Sequence, residues 1–444
     1  MYKYPLSEQT IHEISEIKEE PLWVLNKRLE AYKIFLQKPL PTWGVDLSTL
    51  DFTQIQYFTP TQSTKHKWSD VPEGIIKDFE RIGVPGRERK YLAGVSTQYD
   101  SGVIYHRLKD RFSKYGIIFE SIENGLKMYP ELFKKYFGTL ITSEDNKFAA
   151  LNTAFWSGGS FVYIPKGINL EIPIETYFRI NAKALGQFER TLIIADKGSF
   201  VHYIEGCTAP QYLESSLHSA VVEIFAMKGA TVKYTTLQNW SKNVYNLVTK
   251  RALTEENAHV EWVDCNIGSR YTMKYPSVVL KGDNSSGKLI SLALASENQN
   301  IDSGGKMIHI GRGTKSTIIS KTICQKGGTS TYRGLSKITP NAFNSRAYID
   351  CESLLLDSDS LSQSLPTDEV KNNSSILEHE AFVSSISKSQ LYYLMSKGYT
   401  SEQARDLIVQ GFASSVLDLL PWEYSVELER ILFHFSKEEE NEKN

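Results

Sequence analysis

The four cysteines of this 444-residue chain, Cys207, Cys265, Cys324 and Cys351, are its most chemically distinctive residues, and no CxxC pair occurs among them. Spacing this wide fits neither a disulfide framework nor a closed zinc site, so reduced thiols in a cytosol-like compartment are expected. Cys207 lies in His202-Tyr-Ile-Glu-Gly-Cys-Thr-Ala-Pro210, where the Gly-Cys step and the following proline predict a tight turn with an accessible thiol. Lys250 and Arg251 add positive charge in the same zone, which favours the nucleophilic thiolate. Gln238 and Trp240 stand two apart, as do Arg179 and Asn181, so each pair shares one face of a strand. Glu378-His379-Glu380 begins 27 residues after Cys351. A thiolate, an imidazole and a carboxylate brought together there would make a mixed S/N/O set suited to iron or zinc. Plainer readings stand beside these: a lone cysteine is usually a small buried core residue, and His379 with its neighbours would then only join core to helix.

Gly282-Asp-Asn-Ser-Ser-Gly-Lys288 has most of the form of a phosphate-binding loop, but Leu289 stands where the Mg²⁺-binding hydroxyl belongs. The strand-like Leu-Ile-Ser-Leu-Ala that follows offers no helix N-terminus for phosphate, so a coil turn is expected and any ATPase must come from a partner.

Residues this scattered can act together only if a repetitive fold stacks them. Gly167-Ile-Asn-Leu-Glu-Ile172, Gly198-Ser-Phe-Val-His-Tyr203, Gly229-Ala-Thr-Val-Lys-Tyr234 and Asn257-Ala-His-Val-Glu-Trp262 share one form, with weaker copies opening at Ser286, Lys315 and Arg346. A strand-bearing unit every 28 to 31 residues predicts a solenoid, and the absence of interspersed helical patterns predicts a right-handed parallel β-helix. A propeller blade would need about 40 residues. Equivalent positions then stack about 4.8 Å apart. This frame gives one column of Ile172, Tyr203, Tyr234, Trp262, Ser291, Ser320 and Cys351, and another of Thr176, Cys207, Gln238, Asn266, Ala295 and Cys324.

The chain is therefore expected to be mainly β, with a parallel β-helix over residues 141–376 between an N-terminal helical region, 1–140, and a C-terminal helical domain, 377–444. Leu22, Leu25, Leu29, Tyr32 and Leu36 predict one apolar helix face, and a second helix is expected from Ser121 to Phe137. Ser387 with Gln390 and Thr400 with Gln403 read as capping boxes, and Ala404, Leu407, Ile408, Phe412, Val416 and Leu419 form a stripe that stops at Pro421. Residues 437–444 read as a solvated tail. A formal charge of −2 gives no footprint for nucleic acid or an anionic membrane. No run of about 18 apolar residues and no apolar signal region occur, which predicts a cytoplasmic protein, or a stromal one if organellar.

Several longer runs carry a family likeness: Glu88-Arg-Lys-Tyr-Leu-Ala-Gly94, Asn146-Lys-Phe-Ala-Ala-Leu-Asn152, Trp156-Ser-Gly-Gly-Ser-Phe161, Glu205-Gly-Cys-Thr-Ala-Pro210, Gln238-Asn-Trp240, Val370-Lys-Asn-Asn-Ser-Ser375 and Glu378-His-Glu380. On these the chain resembles the SufB/SufD family of iron-sulfur cluster assembly proteins, and within it the SufB branch rather than the SufD-like branch, over nearly its whole length. The resemblance implies a scaffold without enzymatic activity of its own, assembled with the ATPase SufC, which docks near residues 387–421, and with SufD or a second SufB. It implies that Cys207 accepts persulfide sulfur from SufS with SufE or SufU. Arg179, Asn181, Gln238, Trp240 and Lys250 would line the sulfur path, and Cys351, His379 and Glu380 would hold iron in the nascent cluster. Two departures matter. No cysteine precedes Cys207, which removes an N-terminal cluster site, and the reduced flavin that some Suf complexes bind has no fingerprint here. A carbohydrate-active β-helix would need grouped carboxylates along a groove, whereas the repeat faces carry Tyr, Trp, Ser and Cys.

Overall fold

The computed structural model describes residues 3–60, 94–99, 102–108, 110–179, 185–208, 215–420 and 422–436. Two long sheets, of ten and thirteen strands and almost entirely parallel, face each other as the walls of a β-solenoid. The parallel β-helix expected from the repeat is the observed core. Its first wall stacks Gly94–Tyr99, Asn169–Arg179, Phe200–Thr208, Thr231–Asn239, His259–Ile267, Ser286–Ala295, Lys315–Cys324, Arg346–Leu355 and Ile376–Ser385 in that order.

The glycines and asparagines that open the repeats have a steric reason. Gly167, Gly198, Gly229 and Asn257 all take positive φ at the corner before a strand, a conformation that costs other L-residues about 1–2 kcal/mol. The next corners are Asn284, Gly313 and Asn344, each two residues ahead of the expected repeat starts. The predicted register therefore slips by two after Trp262. Trp262 pairs with Leu289, not Ser291, and Asp264 takes Ser291. Cys207 does not share a column with Cys324, because Asn266 pairs with Ala293 while Cys324 pairs with Ala295. A bulge between Leu170 and Ile174 also puts Ile174, not Ile172, beside Tyr203.

Within the region expected to be helical, Gly94–Tyr99 and Gly102–Leu108 instead form a hairpin whose first strand extends the solenoid wall. The helix predicted over 121–137 divides into Ile122–Met128 and Pro130–Tyr136, because Pro130 cannot continue the first helix and is well placed to open the second. Leu22–Gln37 is helical as predicted, but it buries Val24, Arg28, Ala31, Tyr32 and Phe35, while Leu22 and Leu36 are exposed. The buried face is set by Phe155 and its neighbours on the helix Lys147–Phe155 rather than by the leucine spacing alone.

At the other end, Glu378-His379-Glu380 lies inside the last strand, not in a connection to helix, and the C-terminal helices begin at Lys388. Ser387 caps the first of them, Thr400 and Gln403 form a full capping box on Ser401–Leu417, and Gly398 takes φ +98° between the two. Ala404, Val409, Ala413 and Val416 pack on the outer face of the first wall, over Leu237, Cys265 and Leu292, joined by Trp422–Ser436 through Tyr424 and Leu428. Leu407 of the predicted stripe is exposed. Asn181, Pro210 and the tail 437–444 lie outside the described residues.

Candidate functional site

Strand alternation decides which side chains enter the solenoid. On Phe200–Thr208, Val201, Tyr203, Glu205 and Cys207 point inward, and Ile204 and Gly206 point outward under the C-terminal helices. The Gly-Cys step is therefore not a turn. A Cβ on Gly206 would lie 2.6 Å from the ring of Tyr177 and 3.0 Å from the Tyr424 hydroxyl, so glycine is needed where the helix meets the wall.

Cys207 is buried at 2% exposure. Its thiol lies 3.7 Å from Glu205 Oε1, and Phe178, Leu185, Trp240 and Val244 pack around it. Glu205 also accepts hydrogen bonds from the Thr236 hydroxyl at 3.2 Å, from the Tyr234 hydroxyl, and from Lys250 Nζ at 3.2 Å. Lys250 lies 4.6 Å above the Tyr234 ring. Burial favours the neutral carboxyl of Glu205, but Lys250, the Tyr234 hydrogen bond and Lys274 outweigh it and hold the group below its ordinary range. For Lys250 burial opposes charge, but Glu205 and Asp264 prevail and raise its pKa. The predicted effect on the thiol does not hold in this state. Burial first, then the carboxylates of Glu205 and Glu189, push Cys207 well above the ordinary thiol range against the pull of Lys250 and Lys274. Arg251, named with Lys250, faces the opposite way and binds Asp145 at 2.6 Å outside the wall.

Gln238 is the register partner of Cys207, as the repeat predicted. Its Oε1 accepts from Asn246 Nδ2 at 2.8 Å and from Trp240 Nε1 at 3.4 Å. Asn246 Oδ1 meets His218 Nδ1 at 2.7 Å, the other His218 nitrogen contacts Glu189, and the imidazole lies 4.6 Å from the Trp240 ring. Arg179 ends its strand opposite Thr208, one position beyond Cys207.

The corrected register links Cys351 to Glu205, the residue two before Cys207 on the same inward face. Thr176, Glu205, Thr236, Asp264, Ser291, Ser320 and Cys351 are successive partners along one inward column. Five strand spacings separate the Cys207 strand from the Cys351 strand, about 24 Å at 4.8 Å each. Along this file Lys274 binds Asp264 at 2.8 Å, and the hydroxyls of Ser291 and Ser320 lie 3.0 Å apart. Cys351 is the last polar member of the file, followed by Ala381, with Tyr332 and Ser364 beside it, and its thiol is pushed up to about 12, mainly by burial.

His379 Nε2 lies 4.0 Å from Cys351 Sγ, and its Nδ1 is 2.8 Å from Asp368 Oδ2. Glu380, adjacent in sequence, stands on the outer face of the strand, paired with Asp350. Cys351 and His379 are thus brought together, Glu380 is not, and among the described residues no three metal-ligating side chains converge. Sequence reasoning missed Glu205, Asp264, Lys274, Tyr332 and Asp368. Only Glu205 had a local signal, standing two before Cys207 on one strand face.

This architecture has relatives. Residues 15–176 match the SufBD protein N-terminal region, and 178–412 match the SufBD core domain of SUF system FeS cluster assembly. Proteins named iron-sulfur cluster assembly SufBD family protein from Staphylococcus saprophyticus, Staphylococcus epidermidis and Staphylococcus aureus are each 51% identical over 428 residues, covering 96% of this chain and 92% of the relative. No described helix is long and apolar enough to cross a membrane. The chain belongs to the SufBD family of iron-sulfur cluster assembly proteins.

Proposed function

We propose that the chain is a SufB-type scaffold of the Suf system, which takes up persulfide sulfur at Cys207 and builds an iron-sulfur cluster at Cys351. The observation that carries this reading is the inward polar file from Glu205 to Cys351. Its ammonium and hydroxyl groups present donors to an anionic sulfur species at most rungs. In the loading step Cys207, as thiolate, bonds to the outer sulfur of a donor persulfide. The donor S–S bond breaks, and the departing donor thiolate takes up the proton released by Cys207. Because the resting thiol is buried and disfavours ionisation, loading requires the donor, SufS with SufE or SufU, to open the wall near Thr208. Arg179 and Asn181 would act at that rim, Gln238, Trp240 and Lys250 along the interior, and Cys351 with His379 at the building end. Glu380 would contribute from the outer edge once a partner is seated.

That partner, SufD or a second copy, fits the exposed last coil. Leu361–Val370 and Ile376–Ser385 each pair on one side only among the described residues and expose Leu365, Ile376 and Phe382. SufC would dock on the C-terminal helices, where Tyr392 and Tyr393 are exposed. The glycine-rich run at 282–288 is a corner entering a strand, which does not fit a flavin phosphate, so reduced flavin is left to the complex as a whole. The test is anaerobic reconstitution with SufC, iron and labelled persulfide. Label on Cys207 with a cluster lost in Cys351→Ala supports the reading, and an unchanged cluster in that variant overturns it. Copurification with SufC but no label on Cys207 would favour the SufD-like alternative.

A further inference from the structure

A cavity of about 440 Å³ lies outside the solenoid, between the segment Lys38–Trp43 and the outer face of the second wall. Its size is that of a small-ligand site. Of its five cationic residues Lys250 turns its ammonium inward to Glu205, and Lys38, Lys147, Arg251 and Lys306 are left to face one carboxylate, Asp145. Arg251 is bound to Asp145, and Lys38 reaches outward to Glu144 at 3.2 Å. Among the described residues the other two have no such partner. Lys147 Nζ donates to the carbonyl oxygens of Phe35 and Lys38 and lies 4.2 Å from the Phe35 ring centre, with no carboxylate partner among the described residues. Lys306 has no carboxylate in ion-pair contact among the described residues, and its Nζ lies 5.3 Å from the Tyr275 ring centre. Burial depresses the pKa of both lysines, and for Lys306 Arg251 adds to the depression.

Removing an ammonium group from water without an anion to meet it is unfavourable, so the cavity holds a standing preference for negative charge. Arg251, Ser277 and Lys306 are successive register partners, which sets the two cations two strand spacings apart, about 9.6 Å, along its floor. The nine-residue helix Lys147–Phe155 opens on the same space through its N-cap Asn146 and adds positive potential. One wall is aromatic. Trp43, 46% exposed, and Tyr275 meet with ring centres 5.5 Å apart.

We infer that this cavity binds a small anion carrying a planar ring, of nucleoside monophosphate size, with the anionic group on Lys306 and Lys147 and the ring on Trp43 and Tyr275. None of these residues belongs to the thiol file, so the inference is independent of the scaffold reading. Isothermal titration of the full-length protein with adenosine 5′-monophosphate as probe tests it. One site per chain is expected, with inorganic phosphate and adenosine both much weaker. Lys306→Ala should weaken binding about tenfold or more, and Lys306→Arg should retain it. Trp43→Ala should cost about fivefold or more. Thermal melting of each variant separates lost binding from lost folding. No heat with the probe in the millimolar range, equal affinity for inorganic phosphate, or unchanged affinity in folded Lys306→Ala overturns it.

Discussion

The two thiols sit five strands apart on the inward face of one wall, in neighbouring columns, and live in different media. Around Cys207 the solenoid encloses formal charges, Glu205 with Lys250 and Asp264 with Lys274, whose side chains are at most 4% exposed. Around Cys351 the interior has given way to hydroxyls and then to an open end, where His379 and Asp368 are partly exposed. The same coil repeat builds both. The difference shows that rung position, not local sequence, sets the dielectric around a thiol: several coils cover the Cys207 rung on its C-terminal side, whereas only the strand Ile376–Ser385 lies beyond the Cys351 rung.

The comparison breaks most completely with the cysteines themselves. Cys207→Ala should abolish persulfide loading while leaving chemical reconstitution at Cys351 intact, and Cys351→Ala should do the reverse. Persulfide gel-shift assays and visible absorption read the two outcomes. A single variant that removed both signals would mean one site, not two.

Next in size is thiol reactivity. A thiol moved from 9.0 to about 12 has roughly a thousandfold less thiolate at neutral pH, so Cys351 should alkylate about that much more slowly in the folded protein than after denaturation, with Cys207 slower still. The sign for stability follows. These thiols are protonated in the fold at pH values where the unfolded chain ionises, so their contribution is full below about pH 9 and falls as pH rises toward 12. Rapid labelling of Cys207 at pH 7 would contradict the burial at that end.

Lys250→Met should cost about 3–5 kcal/mol in denaturant unfolding, because it leaves Glu205 buried without its cation. Lys337→Ala, which removes a half-exposed pair with Glu369 near the open end, should cost less than about 1 kcal/mol. Equal costs would erase the contrast between the ends. Asp368→Asn replaces the carboxylate against His379 Nδ1 by a neutral amide, and a severalfold slower cluster formation is expected with unchanged loading at Cys207. The smallest effect is Thr400→Ala, about 1 kcal/mol from the lost cap, with no change at either thiol.

Much of this was legible in the chain. Gly167, Gly198, Gly229 and Asn257 announced the corners, because only residues tolerant of positive φ serve there, and the spacing between them announced parallel coils. Asn284, Gly313 and Asn344 carried the same signal for the later coils and were displaced by two, since the strand pattern alone does not distinguish neighbouring inward positions. That slip hid the column shared by Glu205, Asp264 and Cys351. Lys250 was visible as a cation, but not as the partner that Glu205 holds, because the two come from opposite walls and only closure of the solenoid brings them within 3.2 Å.

The sequence by itself determined the coil repeat, the capped C-terminal helices and the identity of the thiols, all of which rest on local backbone preference and residue type. Tertiary structure alone decided which way each side chain faces and what surrounds it. Stacking converts sequence separations near 30 into contacts of one strand spacing, so a two-residue change of register moves every later residue into a different column, and with it the charge, burial and acidity of each thiol.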